Sequence, residues 1–489
     1  MPSSATGQVV RETRPVLREA LRIGGERVET GRTSEIHNPY NGSVVGTVAM
    51  AGVADVRRAI GYARSFRSPL SRYERYRICQ RTAETLRART EEIADLITAE
   101  SGLSKKDSLH EVGRACDVFL FAGNAALQDD GQTFSCDISE HGKRRKVFTL
   151  REPLLGVITA ITPFNHPLNQ VAHKVAPCIA TNNRMVLKPS EKTPLTALRL
   201  ADILYECGLP PAMFSVLTGN PQEIADEMLT HADVDLVTFT GGVAIGKYIA
   251  ATALYKRQIL ELGGNDPIIV MEDADLEEAA GLAAAGSYGN SGQRCTAVKR
   301  MLVQDSVADR FVQLLVEKTR AIRYGDPMDP ATDMGTVIDE TAARNFEEKV
   351  NAAIAQGAQL KIGNVRRGAL YSPTVLDRVT PDMDVVRTET FGPVSPVIRF
   401  ANLDEAIRIS NSTPYGLSSA VCTNRLDYIT RLVSELQVGS VNVREVPGYR
   451  LELTPFGGIK DSGLGYKEGV QEAMKLFTNT KTYSLPWPA

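Results

Sequence analysis

The run Asn290-Ser291-Gly292-Gln293-Arg294-Cys295-Thr296 sets a cysteine among small residues, with an arginine directly before it. A thiol presented in this way is a candidate nucleophile, because nearby positive charge and helix-end dipoles lower a thiol pKa and favour the thiolate. A lone cysteine also fits the role of a small buried hydrophobe, so the stretch needs partners. Two are available. Glu261, in Glu261-Leu262-Gly263-Gly264, closes an apolar strand-like run, and a partly desolvated carboxylate has a raised pKa and can take a proton from water or a thiol near neutrality. Asn165, in Pro163-Phe164-Asn165-His166-Pro167, offers an amide N–H to an oxyanion. Alone, Glu261 reads first as a salt-bridge or cap residue, and Asn165 as an ordinary turn residue.

Further stretches suit a dinucleotide. Thr240-Gly241-Gly242-Val243-Ala244-Ile245-Gly246 sits where an apolar strand gives way to a helix, and glycine there lets backbone N–H groups approach a phosphate. Its spacing departs from G-x-G-x-x-G, and a plain helix cap is an equal reading. Lys188-Pro189-Ser190-Glu191 ends a buried-type strand, where a lysine and a carboxylate can bond ribose hydroxyls, since ligands of open α/β sheets bind at the carboxyl ends of strands.

The elements that carry these residues alternate. With 489 residues, 43% of them hydrophobic and 23% charged, the chain is expected to form two or three domains of a soluble globular protein. Strand runs at 156–161, 184–188, 216–217 and 236–240 each lead through a loop into a helix, which indicates a parallel sheet covered on both faces. The pattern restarts near Ile259 and continues through strands at 268–270, 300–304, 373–376, 394–398 and 418–423. Residues 1 to about 22 read as a loosely held polar extension. Helices are expected at 53–65, 72–100 and 105–127. On the last of these Lys106, His110 and Arg114 recur every fourth residue, which places three potential cations on one face or makes a solvated stripe. Lys143-Arg144-Arg145-Lys146, flanked by strand-like runs, reads as a charged hairpin edge rather than a nucleic-acid patch.

A formal net charge of −2 gives no global field for nucleic acid or membrane. The seven cysteines are scattered and odd in number, which argues against both a disulfide framework and structural zinc, so no metal is expected. Without a signal-like or membrane-spanning apolar run, a cytoplasmic location is expected.

Taken together, Pro163-Phe164-Asn165, Lys188-Pro189-Ser190-Glu191, Phe239-Thr240-Gly241-Gly242, Glu261-Leu262-Gly263-Gly264, Gly292-Gln293-Arg294-Cys295, Glu389-Thr390-Phe391-Gly392-Pro393 and Pro455-Phe456-Gly457-Gly458 resemble, in order and approximate spacing, the motifs of the aldehyde dehydrogenase superfamily. The resemblance covers nearly the whole chain. It implies an α/β, aldehyde dehydrogenase-like fold: two doubly wound parallel-sheet domains plus a small β oligomerisation arm. The expected division is 1–133 with 152–262 for the NAD-binding domain, 263–474 for the catalytic domain, and 134–151 with 475–489 for the arm, giving a homodimer or homotetramer. It also implies that Cys295 attacks an aldehyde, Asn165 holds the oxyanion, and Glu261 activates the water that hydrolyses the thioester. A carboxylate at Glu261 favours hydrolysis over transfer to CoA, and an intact Cys295, Asn165 and Glu261 favour an enzyme over an inactive structural relative. Cofactor contacts are implied for Pro163, Lys188, Ser190, Glu191, Thr240, Gly241, Gly242, Leu262, Glu389 and Phe391. Glu191, placed to repel a 2′-phosphate, favours NAD over NADP.

In this family the substrate tunnel is lined from the positions held here by Arg114, His166, Arg294, Thr296 and Arg450. Three arginines and a histidine at one tunnel repel each other unless they bind an anion, so the expected substrate is a short aldehyde with a dianionic tail. The nearest resemblance is to members acting on phosphonoacetaldehyde. Glyceraldehyde 3-phosphate and carboxylate semialdehydes are the alternatives.

Overall fold

A computed structural model describes residues 15–488. Its first large sheet holds five parallel strands in the spatial order Arg257–Glu261, Val234–Thr240, Val157–Ile161, Met185–Lys188, Phe214–Val216, extended by the antiparallel pair Leu21–Ile23 and Glu26–Val28. Successive residues in the central strands bury toward opposite faces. Ile158, Ala160, Met185 and Leu187 pack under the helices Asn169–Ala180 and Leu195–Glu206, while Val157, Val186, Val237 and Phe239 meet Val53–Ser65, Pro221–Thr230 and Val243–Ala253. Two buried faces explain why these strands read as unbroken apolar runs. Strand order reverses at Val157–Ile161: the next two strands lie on one side, the following two on the other. That reversal opens a crevice at the carboxyl ends of Val157–Ile161 and Val234–Thr240, the place where doubly wound sheets take ligands.

The second large sheet runs Gln359–Ile362, Thr374–Asp377, Val394–Phe400, Arg300–Gln304, Pro267–Val270, Ser418–Cys422, Ser440–Val443, parallel except for its first strand. The chain passes from Glu261, the last residue of one sheet, through five residues into Pro267, the first of a strand in the other. Loops entering the second sheet therefore meet loops leaving the first. A smaller antiparallel sheet joins Thr133–Ser135, Arg145–Pro153 and Thr478–Pro486 in continuous register from Thr478↔Pro153 to Pro486↔Arg145.

Several expectations change. Residues 17–23 are not a loose extension: Leu17–Glu19 pairs with Val44–Ala49, Leu21–Ile23 joins the first sheet, and Arg22 is buried on Asp202 and Glu19. Residues 1–14 of that expected extension lie outside the described residues. The expected helix 72–100 is two helices, Arg72–Ala88 and Thr90–Ser101, broken where Arg89 leaves helical geometry at φ −107° and ψ 23°. The segment assigned to the second domain up to residue 474 returns to the first, since Leu453, Val470 and Met474 pack into the core beneath Asn169–Ala180. Short-range periodicity carries no information about such a return.

Candidate active site

Cys295 follows the helix Leu276–Tyr288 and a turn in which Asn290 (φ 60°), Ser291 (φ 54°) and Gly292 (φ 70°) are left-handed in succession. Each non-glycine residue in that region costs about 1–2 kcal/mol, so the turn must be held from outside. Asn290 Nδ2 donates to Asn165 O at 2.9 Å, Asn165 Nδ2 donates to Gln293 O at 2.8 Å, and Gln293 Oε1 accepts from Ile338 N at 2.8 Å. A side chain at position 292 would meet Gly392 O at 2.3 Å. Asn165 thus clamps the turn before Cys295 and lines the same cavity as Cys295.

Burial pushes the Cys295 thiol up to about 11, against the opposing charge of Lys299. This reverses the expected lowering, because the loss of water outweighs the charges of Lys299 and Arg450. Arg294 is engaged through Nη2 with Gly286 O at 2.8 Å and Ala285 O at 3.4 Å, at the end of the preceding helix. Lys299 is the cation that serves here instead: its Nζ donates to Cys295 O at 2.6 Å and pairs with Glu389 Oε1 at 3.3 Å.

Glu261 is 4% exposed and its Oε2 has no hydrogen-bond partner. Burial, and then the charge of Glu468, raise its pKa well above the usual carboxylate range. Glu468 stays ionised on Lys174 Nζ at 2.7 Å. A carboxyl group in this state is suited to exchanging protons with a thiol or water. The two glycines after Glu261 serve close approach rather than flexibility. A Cβ at Gly263 would stand 2.3 Å from Glu389 Oε2, and one at Gly264 would stand 2.4 Å from Cys295 O. Gly264 N also donates to Glu389 Oε1 at 3.2 Å.

A cavity of about 220 Å³ brings Cys295, Glu261 and Asn165 together with Pro163, Thr240, Gly241, Gly242, Leu262, Glu389 and Phe391. Phe164 and Gln170 line it too, and Phe391 meets Phe164 edge to face at 5.9 Å. Gly242 starts the helix Val243–Ala253 with open space where its Cβ would be, and the buried hydroxyl of Thr240 has no partner. This is a cradle a phosphate fits. The Gly241 N–H is given to Glu261 O at 3.0 Å. Lys188, Ser190 and Glu191 stand apart from this cavity, at the end of the strand next to Val157–Ile161. Lys188 is buried with Nζ on Pro189 O at 3.1 Å and 3.5 Å from Glu191 Oε2, and the Glu191 side chain is 55% exposed.

Arg114, Arg294 and Arg450 are drawn close enough that Arg114 depresses both other guanidinium pKa values, which burial has already lowered. They are less isolated than expected. Glu452, buried beside them, accepts from Arg114 Nε and from His173 Nε2, and Arg450 Nε stands 3.8 Å from it. Burial would raise the Glu452 carboxyl, but His173, Arg450 and Arg114 hold it well below the usual range. Arg450 also stacks over Phe456 at 3.8 Å. Even so, Arg450 Nη1 and Arg294 Nε are buried without any hydrogen-bond partner. His166 lies at the same end of helix Lys105–Ala126, 3.7 Å from Glu111. Thr296 is buried against Gly448, in the loop that carries Arg450. Lys106 leaves the cluster and pairs with Asp333, since residues spaced by four drift around a helix of 3.6 residues per turn.

Glu452, Lys299, Lys174 and Glu468 escaped the sequence reading. Arg450-Leu451-Glu452 hinted at one of them, with opposite charges two residues apart.

The model of the aldehyde dehydrogenase family matches residues 27–483. A protein from Priestia megaterium, named 3-sulfolactaldehyde dehydrogenase, is 37% identical over 94% of this chain and 96% of its own length. The crystal structure of an NADP-dependent glyceraldehyde-3-phosphate dehydrogenase from Bacillus halodurans in complex with NADP superposes with a TM-score of 0.93 at 35% identity, covering 96% of this chain and 100% of that one. That of an NAD-dependent aldehyde dehydrogenase from Sinorhizobium meliloti gives 0.92 at 34% identity, covering 97% and 96%. With the Cys295 loop, the buried carboxyl of Glu261 and the glycine turn meeting in one cavity of a doubly wound fold, the chain belongs to the aldehyde dehydrogenase family.

Proposed function

We propose that this protein oxidises a short aldehyde carrying a tetrahedral anionic tail to the corresponding acid with NAD, and that phosphonoacetaldehyde, giving phosphonoacetate, is its substrate. The observation that carries the reading is the pair of buried, unpartnered guanidinium nitrogens, Arg450 Nη1 and Arg294 Nε. A buried N–H without a partner costs about 1–3 kcal/mol, more when charged, and an anionic tail removes that cost. The sulfonate named for the Priestia relative is also a tetrahedral anion, which supports a tail of this shape and favours, as a second reading, a sulfonated aldehyde.

The chemistry follows from the residues. Glu261 as carboxylate takes the thiol proton, the Cys295 sulfur bonds to the aldehyde carbon, and the resulting oxyanion is met by the Asn165 amide and the Cys295 backbone N–H. NAD would be held at a phosphate by Gly242 and Thr240, at the nicotinamide ribose by Glu389 and at the other ribose by Lys188, and would supply the hydride acceptor. What remains on Cys295 is a thioester. Glu261, having passed the thiol's proton to solvent, takes a second proton from the water that attacks the thioester, and the sulfur leaves as thiolate while the acid forms. Lys299, bonded to both Cys295 O and Glu389, fixes the nucleophile relative to the cofactor's seat.

Comparing kcat/KM for phosphonoacetaldehyde, sulfoacetaldehyde, glyceraldehyde 3-phosphate and acetaldehyde, with NAD and with NADP, tests the reading. Phosphonoacetaldehyde with NAD should be highest. Acetaldehyde matching the anionic substrates would overturn the anionic tail.

A further inference from the structure

Glu111 is 2% exposed and divides its carboxylate between two tasks. Oε1 accepts from Leu168 N at 2.8 Å and Asn169 N at 2.9 Å, capping the helix Asn169–Ala180. Oε2 has no hydrogen-bond partner, and neither has His166 Nδ1, which faces it at 3.7 Å. Two buried polar atoms of complementary kind thus stop about half an ångström short of bonding, a gap that a small ring rotation closes. Asn165 and Leu168, on either side of His166, are both tied down by hydrogen bonds, so rotation of the ring is the motion left.

We propose that Glu111 is the positioning residue of His166: it takes Nδ1–H, turns Nε2 toward the substrate's anionic tail, and lets the imidazole carry a second proton while the tail is seated. The inference rests on the anionic-tail reading above. The extra proton comes from bulk water as the substrate binds and returns there when the product leaves. Asp107, which accepts from Ser104 Oγ at 2.8 Å, and His110 also act on this ring, and Arg114 and Arg294 act on His110. Burial pushes Asp107 up and His110 down, which leaves both less charged than free side chains, whereas Glu111 is the carboxylate in direct contact. The arrangement favours a tail that gains from a third donor over one satisfied by two guanidinium groups.

Glu111→Gln keeps an oxygen for the helix cap and removes the negative charge. Its KM for phosphonoacetaldehyde should rise about tenfold more than its KM for acetaldehyde at pH ~7.5, as expected for a lost charge-assisted bond. The rise should shrink as the pH is lowered toward ~6, and kcat should fall by less than KM rises. In a His166→Asn background the same substitution should add nothing to the KM ratio. Equal effects on both aldehydes, a pH-independent effect, or full additivity with His166→Asn would overturn the proposal. If Glu111→Gln misfolds, His166→Asn alone must still raise the anionic KM selectively at pH ~6 more than at pH ~9. Arg450→Ala separates the two ideas. Should it discriminate between aldehydes while Glu111→Gln does not, only this inference fails; should neither discriminate, the anionic-tail reading fails as well.

Discussion

Replacing Arg450 by methionine removes one buried charge while retaining an unbranched side chain over Phe456. Two effects on an anionic substrate follow, and both point the same way. The contact from Arg450 Nη1 is lost, which for a charge-assisted hydrogen bond costs about 1.5–3 kcal/mol, or roughly 10- to 150-fold in KM. Glu452, left with Arg114 and His173, then carries less compensated negative charge toward the tail. Two unit charges about 6 Å apart at an effective dielectric near 20 repel by roughly 3 kcal/mol before relaxation, so even a fraction of this adds to the loss. Steady-state kinetics with phosphonoacetaldehyde and acetaldehyde should show KM for the former rising about 10²-fold and kcat/KM for the latter changing by less than about threefold. The cation–π contact with Phe456, worth about 0.5–1 kcal/mol, enters both substrates alike and cancels in the ratio. A parallel loss on both aldehydes would mean that Arg450 serves the fold through Glu452 and does not face the substrate, and the substrate reading would go with it.

Three further outcomes are expected. Because burial raises the Cys295 thiol to about 11, the rate of its alkylation by iodoacetamide in the protein without cofactor should climb through the alkaline range, and an inflection below the free-thiol value of about 8.5 would contradict the burial argument. Gly264→Ala puts a methyl group 2.4 Å from Cys295 O; an overpacking cost of roughly 1–3 kcal/mol should lower Tm and reduce kcat for all aldehydes equally, and a variant with unchanged kcat would show that the approach is not needed for turnover. Glu191→Ala should raise kcat/KM for NADP relative to NAD, and an unchanged ratio would remove Glu191 as the discriminating group.

The sequence by itself determined what depends on local chemistry: the alternation of strands and helices and the glycine turn at the end of Val234–Thr240. These follow from periodicity and residue type, which neighbours along the chain set without help, whereas Cys295, Glu261 and Asn165 each kept an ordinary reading until the order of the motifs joined them. Charge state is another matter. The arginine beside Cys295 suggested a lowered thiol pKa, yet only the folded chain shows Arg294 engaged with carbonyls at the end of the preceding helix and the thiol buried deeply enough to outweigh Lys299 and Arg450. In the same way the crowd of arginines read as uncompensated until Glu452, from a segment some 340 residues beyond Arg114, came to rest between Arg114 and Arg450. Electrostatic energy falls off with distance in space and with exposure to water, neither of which is written in residue order, so the tertiary structure alone decides which charges meet and which stand free for a ligand.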